Sequence, residues 1–149
     1  MELQKVLEMR KSIRKYNDQP VAKEDIETIL KAANLAPSWK NSQVTRYRVI
    51  MNPDMLEKIR LTLPVFNQEN AKDAPVLIVS SIVLNRSGYK RNGESENEIG
   101  NGWGCYDCGM HDMSLLLKAT EMGLSTLVMG IRDAKKIKDL LNIDEKEPV

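Results

Sequence analysis

Aromatic residues are scarce in this chain: phenylalanine occurs once, tryptophan twice and tyrosine four times. A core with so few rings must be closed by aliphatic side chains and by eight methionines, which fill irregular gaps. Histidine occurs once, at His111, and cysteine twice, at Cys105 and Cys108. A hydrolytic triad would depend wholly on that one imidazole, and no Gly-x-Ser-x-Gly elbow accompanies it. Two cysteines three apart do not make the disulfide framework of a secreted domain. Excess charge of one sign is also lacking. With 22 basic and 21 acidic residues the net charge is +1, so no global field favours nucleic acid or an anionic membrane. No stretch approaches the ~18 apolar residues of a membrane span. The opening Met1-Glu2-Leu3-Gln4-Lys5 lacks the apolar centre of a signal peptide. These absences lead to the expectation of a cytoplasmic protein with neither membrane nor nucleic acid as partner. The glycines of Gly100-Asn101-Gly102-Trp103-Gly104 have neither the Gly-x-Gly-x-x-Gly spacing nor a Walker lysine.

What is present reads as one globular domain over 1–149, with 29% charged and 42% hydrophobic residues and no internal repeat. Leu3, Val6, Leu7 and Met9 give a first helix over 2–10. Ile26, Ile29, Leu30 and Ala33 stripe a second, roughly 23–35, which ends before Pro37. Residues 46–51 alternate as a strand, and Pro53 opens a third helix through Met55, Ile59 and Leu63. Residues 75–83 form the strongest strand, apolar on both faces as a strand between two layers should be. From Asn85 to Gly104 no periodicity is visible, and a loop of about twenty residues is usually functional or disordered. A long helix then carries Met110, Met113, Leu116 and Leu117 and stops at a left-handed cap on Gly123. Cys105 is placed in the loop before it. Leu124–Met129 reads as a short strand and Ala134–Leu141 as a last helix. A further strand is expected after Val149, so the chain looks as though it ends early. The class is α+β or α/β with a central sheet.

Two stretches carry candidate chemistry. Arg10, Lys11, Ser12 and Arg14 put three cations and a hydroxyl within five residues, suited to a phosphate or polyol. Alone, such a run is more often a solvated helix end, where cations are favoured by the dipole. Ala36-Pro37-Ser38-Trp39-Lys40-Asn41-Ser42-Gln43 sets a large ring and two amides in a loop between helix and strand, where binding groups are commonly presented. Local turn bonding by Asn and Ser explains it equally well. Cys105, Cys108 and His111 give Cys-x2-Cys-x2-His, but structural zinc needs a fourth ligand and no second pair exists. Packing is favoured over a redox pair or a metal site.

Taken together and in order, these stretches are more specific. The basic-basic-Ser-x-Arg run is followed by a Pro-Val turn. A helix then ends in Ala-Ala-x-x-Ala-Pro-Ser-x-x-Asn-x-Gln, and the whole resembles the opening of the nitroreductase family. Asp107-Cys108-Gly109 and Glu121-Met122-Gly123-Leu124-Ser125-Thr126 resemble its later landmarks, so the likeness spans about residues 5 to 145. The resemblance implies an α+β fold with a central mixed, mainly antiparallel sheet flanked by helices, in an intertwined homodimer. It implies one FMN at each of two interface sites. Arg10, Lys11, Ser12 and Arg14 would hold the phosphate and ribityl chain, and Pro37, Ser38, Trp39 and Asn41 of the partner subunit would cover the isoalloxazine ring. Asn67 and Asn70 would lie near its pyrimidine edge, Asn70 replacing a lysine often found there. Met129 and Gly130 would supply backbone beside the ring.

The implied activity is ping-pong electron transfer from NAD(P)H to a nitroaromatic, quinone or similar small-molecule acceptor. The cofactor carries that chemistry, so no catalytic acid or base is assigned. Trp39 and the 85–104 loop, with Tyr89 and Trp103 as aromatic lids, are the candidates for shaping the substrate face. Two alternatives stand beside it. One is a flavoenzyme of the same fold performing reductive dehalogenation or flavin fragmentation. The other is a flavin-binding or redox-sensing protein without significant turnover.

Overall fold

A computed structural model describes residues 1–149. Its centre is a two-stranded antiparallel sheet, β1 (Thr45–Ile50) paired with β2 (Leu77–Ile82), with Thr45 opposite Ile82 and Ile50 opposite Leu77. Alternation along the strands sends side chains to two different layers. Tyr47, Val49 and Ile78 face α2 (Lys23–Ala33) and α5 (Gly102–Glu121), around Ile26, Ile29, Ala33, Leu115 and Ala119. Ile50, Leu77 and Val79 face the other way, onto Leu56 and Ile59 of α3 (Pro53–Arg60) and Ile137 of α6 (Ala134–Leu141). The strongest strand of the sequence is therefore sandwiched between two apolar layers, as its composition requires.

Helix ends follow local chemistry. Asn52 accepts the Met55 N–H at 3.0 Å ahead of Pro53, and Asp133 accepts the Lys136 N–H at 3.1 Å. At the far end of α5, Gly123 takes φ +79°, its N–H reaches Thr120 O, and the Leu124 N–H reaches Ala119 O. That pair of bonds is the Schellman arrangement, and it confirms the left-handed cap read at Gly123.

The structure corrects several expectations. The third helix does not run to Leu63: it stops at Arg60, and Pro64 precedes a separate helix α4, Val65–Ala71. Leu124–Met129 does not form a strand. Its backbone is spent on the Schellman cap and on one parallel bridge, Thr126 with Ser12, so no ladder develops. The segment from Asn85 onward is not without structure. Tyr89 and Ser95 bridge antiparallel, and from Gly102 the chain is already helical. Cys105 consequently lies within α5, not before it. Its first turn was hidden because three glycines in five residues mask helical periodicity.

The last residues lie against the free edge of β2, with the Ile82 N–H bonded to Pro148 O and the Leu84 N–H to Lys146 O. Glu147 is the clamp: Oε2 lies 2.6 Å from Arg48 Nη1 and accepts from the Ser81 hydroxyl at 3.2 Å. Both charged side chains are largely buried, so the pair is worth more than an exposed one. Glu147→Gln should lower stability by about 1–2 kcal/mol, since hydrogen bonds to a charged group contribute about 1.5–3 kcal/mol. Faster carboxypeptidase trimming of the variant would report release of the tail; unchanged trimming and melting would contradict it.

Candidate flavin site and family

The basic strip follows directly on α1 (Leu3–Met9), with Arg10 as its C-cap. Arg10 is half-buried, whereas Lys11, Ser12 and Arg14 are exposed. The strip is fixed by its backbone: the Ile13 N–H donates to Thr126 O at 3.0 Å, and Ser12 bridges Thr126. None of the three cations has an ion pair or a side-chain hydrogen bond, although the chain forms ten ion pairs elsewhere. Held side by side without counter-charges, they are free to receive an anion.

The segment that anchors the strip continues to Met129, half-buried, and Gly130, exposed with open space where a Cβ would stand. Asn67, buried on α4, donates to Ile131 O at 3.4 Å, a long bond. Asn70 is half-buried one turn further along the same face. The structure thus joins the strip 10–14 to the segment 126–131 by a backbone bond, and the Asn67 side chain to the end of that segment by a long one.

The second group is built elsewhere. Ser38, Trp39 and Asn41 belong to a short 3-10 turn, Trp39–Asn41, with Ser38 as its N-cap. The Ser38 hydroxyl accepts from the Gln43 N–H at 3.0 Å, and Pro37 and Asn41 are exposed. Lys40, Asn41 and Gln43 all take left-handed φ of 45°, 54° and 50°. For non-glycine residues this costs of order 1 kcal/mol or more each and persists only where surroundings impose it. The imposing group is Asp107, 1% exposed: Oδ2 accepts the Trp39 N–H at 3.0 Å and the Ser87 hydroxyl at 2.6 Å. Sequence reasoning noted Asp107 only as a landmark. The signal available was a carboxylate among the apolar positions of what is now the buried face of α5.

The aromatic residues serve the same junction. Trp39 and Trp103 lie 4.6 Å apart at 47°, and Trp103 meets Tyr106 edge-on at 5.8 Å. Trp103 Nε1 donates to Asn97 Oδ1 at 2.9 Å, and Lys40 pairs with Glu96 at 2.6 Å. Trp103 is therefore not a free lid but a fixed support behind Trp39. Tyr89 is held in the Tyr89–Ser95 bridge. Gly88 must be glycine: at φ +77° a Cβ would meet Trp103 Cδ1 at 2.6 Å and Gly100 O at 2.8 Å. Two polar atoms of this loop are buried without a partner, Trp39 Nε1 and Ser42 Oγ.

The two groups sit at different ends of α5. The loop is tied to Asp107, whereas the strip is tied beyond Glu121, whose carboxylate also meets the amino terminus at 3.4 Å. From Asp107 to Glu121 is fourteen residues of helix, about 21 Å.

The thiols stand apart from this arrangement. Cys108 is half-buried, its Sγ 3.7 Å from Asp112 Oδ2, and burial with the Asp112 charge pushes its pKa up to about 12. The same carboxylate accepts from the Tyr47 hydroxyl at 2.9 Å, and burial with that charge pushes the phenol well above its usual range. A thiol so raised is the reverse of a redox nucleophile. At pH 8, exposed Cys105 should take up iodoacetamide while Cys108 stays unmodified in the folded protein. Peptide mapping checks this, and equal labelling of both would contradict it.

Comparison with known proteins places the chain in a family. The model of the nitroreductase family matches residues 7–63 and 60–149. An Archaeoglobus fulgidus protein provisionally named an NADH dehydrogenase/NAD(P)H nitroreductase is 29% identical, over 95% of this chain and 76% of its own length. The FMN reductase [NAD(P)H] of Bacillus subtilis is 30% identical, over 87% of this chain and 54% of its own length. A nitroreductase family protein from Clostridium novyi superposes on the whole chain and 80% of its own with a TM-score of 0.84 at 23% identity. By family match and by fold, the chain belongs to the nitroreductase family of oxidoreductases.

Proposed function

We propose that the chain is an FMN-dependent oxidoreductase passing electrons from NAD(P)H to nitroaromatic, quinone or similar acceptors, with flavin shared between two copies of the chain. The observation that carries the reading is the separation of two unsatisfied groups along α5. Unpaired Arg10, Lys11 and Arg14 are at one end, and the strained Trp39–Asn41 turn is at the other. A flavin phosphate is a dianion and its ring is flat and apolar, so it asks for cations at one end and a covered face at the other. One copy offers these features about 21 Å apart along the helix. A second copy related by two-fold symmetry can bring the loop of one to the strip of the other.

The surface supports the second copy. Leu3, Leu35, Tyr106 and Val128 are 66%, 86%, 61% and 68% exposed, and only 25 of 149 residues are buried. A second copy would cover such exposed apolar side chains. In such a pair Arg10, Lys11, Ser12 and Arg14 hold phosphate and ribityl oxygens. Asn67 and Asn70 meet the polar ring edge, the Met129–Gly130 backbone lies beside the ring, and Pro37, Ser38, Trp39 and Asn41 close it from the partner. Bound there, the flavin would supply the two-electron chemistry. The chain's own residues orient it and exclude water, and no acid or base from the chain is required. The test is simple: purified protein should be yellow and bleach on anaerobic NADH or NADPH. A colourless protein that takes up no added FMN defeats the proposal, and colour without bleaching favours a flavin-binding protein without turnover.

A further inference from the structure

Two residues beyond Gly130 stands Arg132, a cation that the flavin reading leaves unused. Its Nη1 donates to Gly130 O at 2.6 Å, so the guanidinium is folded back onto the Met129–Gly130 segment. Arg132 is exposed and has no ion pair. The neighbouring acid, Asp133, is already engaged: it accepts the Lys136 N–H at 3.1 Å and lies 3.4 Å from Lys136 Nζ. A guanidinium has five N–H donors, so one bond to a carbonyl leaves its charge and most of its donors open.

The same short segment receives Asn67, whose amide donates to Ile131 O. Three consecutive residues therefore combine three features. Gly130 carries backbone proposed beside the ring, Ile131 holds the amide proposed at the pyrimidine edge, and Arg132 adds an unpaired cation. Helix α4 brings no such cation to that edge. Asn67 and Asn70 are neutral, Lys72 pairs with Glu69, and Arg60, which donates to Ala71 O at the end of α4, pairs with Glu57. The Arg10–Arg14 strip joins the segment at Thr126, six residues before Arg132, where the phosphate end is proposed.

Reduction changes what the ring edge requires. A hydride delivered to N5 brings two electrons and one proton, and leaves the ring with one more negative charge. That charge is held at N1 and the adjoining C2 carbonyl until a second proton arrives. A cation beside this edge attracts the reduced ring more than the neutral oxidised one, and only such a difference in affinity shifts the equilibrium between them. We propose, on the basis of the flavin placement given above, that Arg132 supplies the positive charge at the pyrimidine edge and binds the reduced flavin in preference to the oxidised one.

Redox titration of the FMN-loaded protein against a reference dye at pH 7 tests this, with affinity for oxidised FMN and thermal melting measured alongside. In Arg132→Gln the preference for reduced over oxidised flavin should fall about tenfold, the low end for a charge-assisted bond because the side chain is exposed. For a two-electron couple that is a drop of about 30 mV in midpoint potential. Arg132→Lys keeps the charge and should recover most of the drop. Affinity for oxidised FMN and Tm should hold in both variants, since the chain loses only the bond to Gly130 O. An unchanged potential in Arg132→Gln would overturn the proposal. So would a potential as low in Arg132→Lys as in Arg132→Gln, a fall in Tm shared by both, or loss of oxidised FMN from Arg132→Gln. Each of these results leaves the flavin reading standing; if the unaltered protein takes up no FMN, that reading fails and this proposal with it.

Discussion

Replacing Arg10 and Arg14 together by alanine should weaken FMN binding on the order of 100-fold and leave the fold intact. Each removes a charge-assisted bond of about 1.5–3 kcal/mol. Both are taken at the low end, because Arg10 is half-buried and Arg14 is exposed. Two such losses give about 3 kcal/mol, and every 1.4 kcal/mol is tenfold in affinity. Folding should be indifferent because neither guanidinium bonds to the rest of the chain; the strip is held by the Ile13 N–H on Thr126 O. Flavin absorbance of the purified variant, titrated with FMN and compared with its far-ultraviolet circular dichroism, reads the two effects apart. Full occupancy at wild-type affinity would mean that the phosphate is gripped elsewhere.

The second large effect is expected at Asp107. Asp107→Ala removes the acceptor of the half-buried Trp39 N–H and of the buried Ser87 hydroxyl. Leaving such donors unsatisfied costs about 1–3 kcal/mol apiece, so about 3 kcal/mol in total, or roughly 6–12 °C in Tm for a chain of this size. Function should suffer beyond stability. Without its anchor the left-handed turn at Lys40–Asn41 keeps the Ser38–Gln43 bond and the Lys40–Glu96 pair, but the loop proposed to cover the flavin should loosen. Tryptophan fluorescence should change as the Trp39–Trp103 pair separates, at temperatures where circular dichroism still shows a folded helix content. A variant with native melting and native tryptophan emission would contradict this role.

These two sites were legible in the sequence to different degrees. The strip 10–14 was visible as charge, and its order before Ala36-Pro37-Ser38 gave it meaning. Periodicity placed α1, α2, β1 and α6 within a few residues, and β2 was legible as a continuous apolar run, with stops such as Pro37 and Pro53 marking ends. What failed has a physical cause in each case. The first turns of α5 contain Gly102, Gly104 and Gly109, which carry no side chain from which a stripe can be read. The stretch Leu124–Met129 is apolar like a strand but pairs only through Thr126, since the preceding cap consumes its first bonds. Asp107 could not be recognised as an anchor because its partners lie 68 and 20 residues away in sequence.

The central claim is that one flavin site takes its cations from one chain and its covering loop from another. A heterodimer of complementary variants tests it most directly. One chain carries Arg10→Ala with Arg14→Ala, the other Trp39→Ala with Asn41→Ala, each with its own affinity tag, and tandem purification isolates the mixed pair. Either variant alone should be nearly colourless. In the mixed pair the strip of the second chain and the loop of the first are both intact and meet in one site, so one FMN should bind per heterodimer. If strip and loop instead served the same chain's flavin, both sites would be broken and the heterodimer would stay colourless.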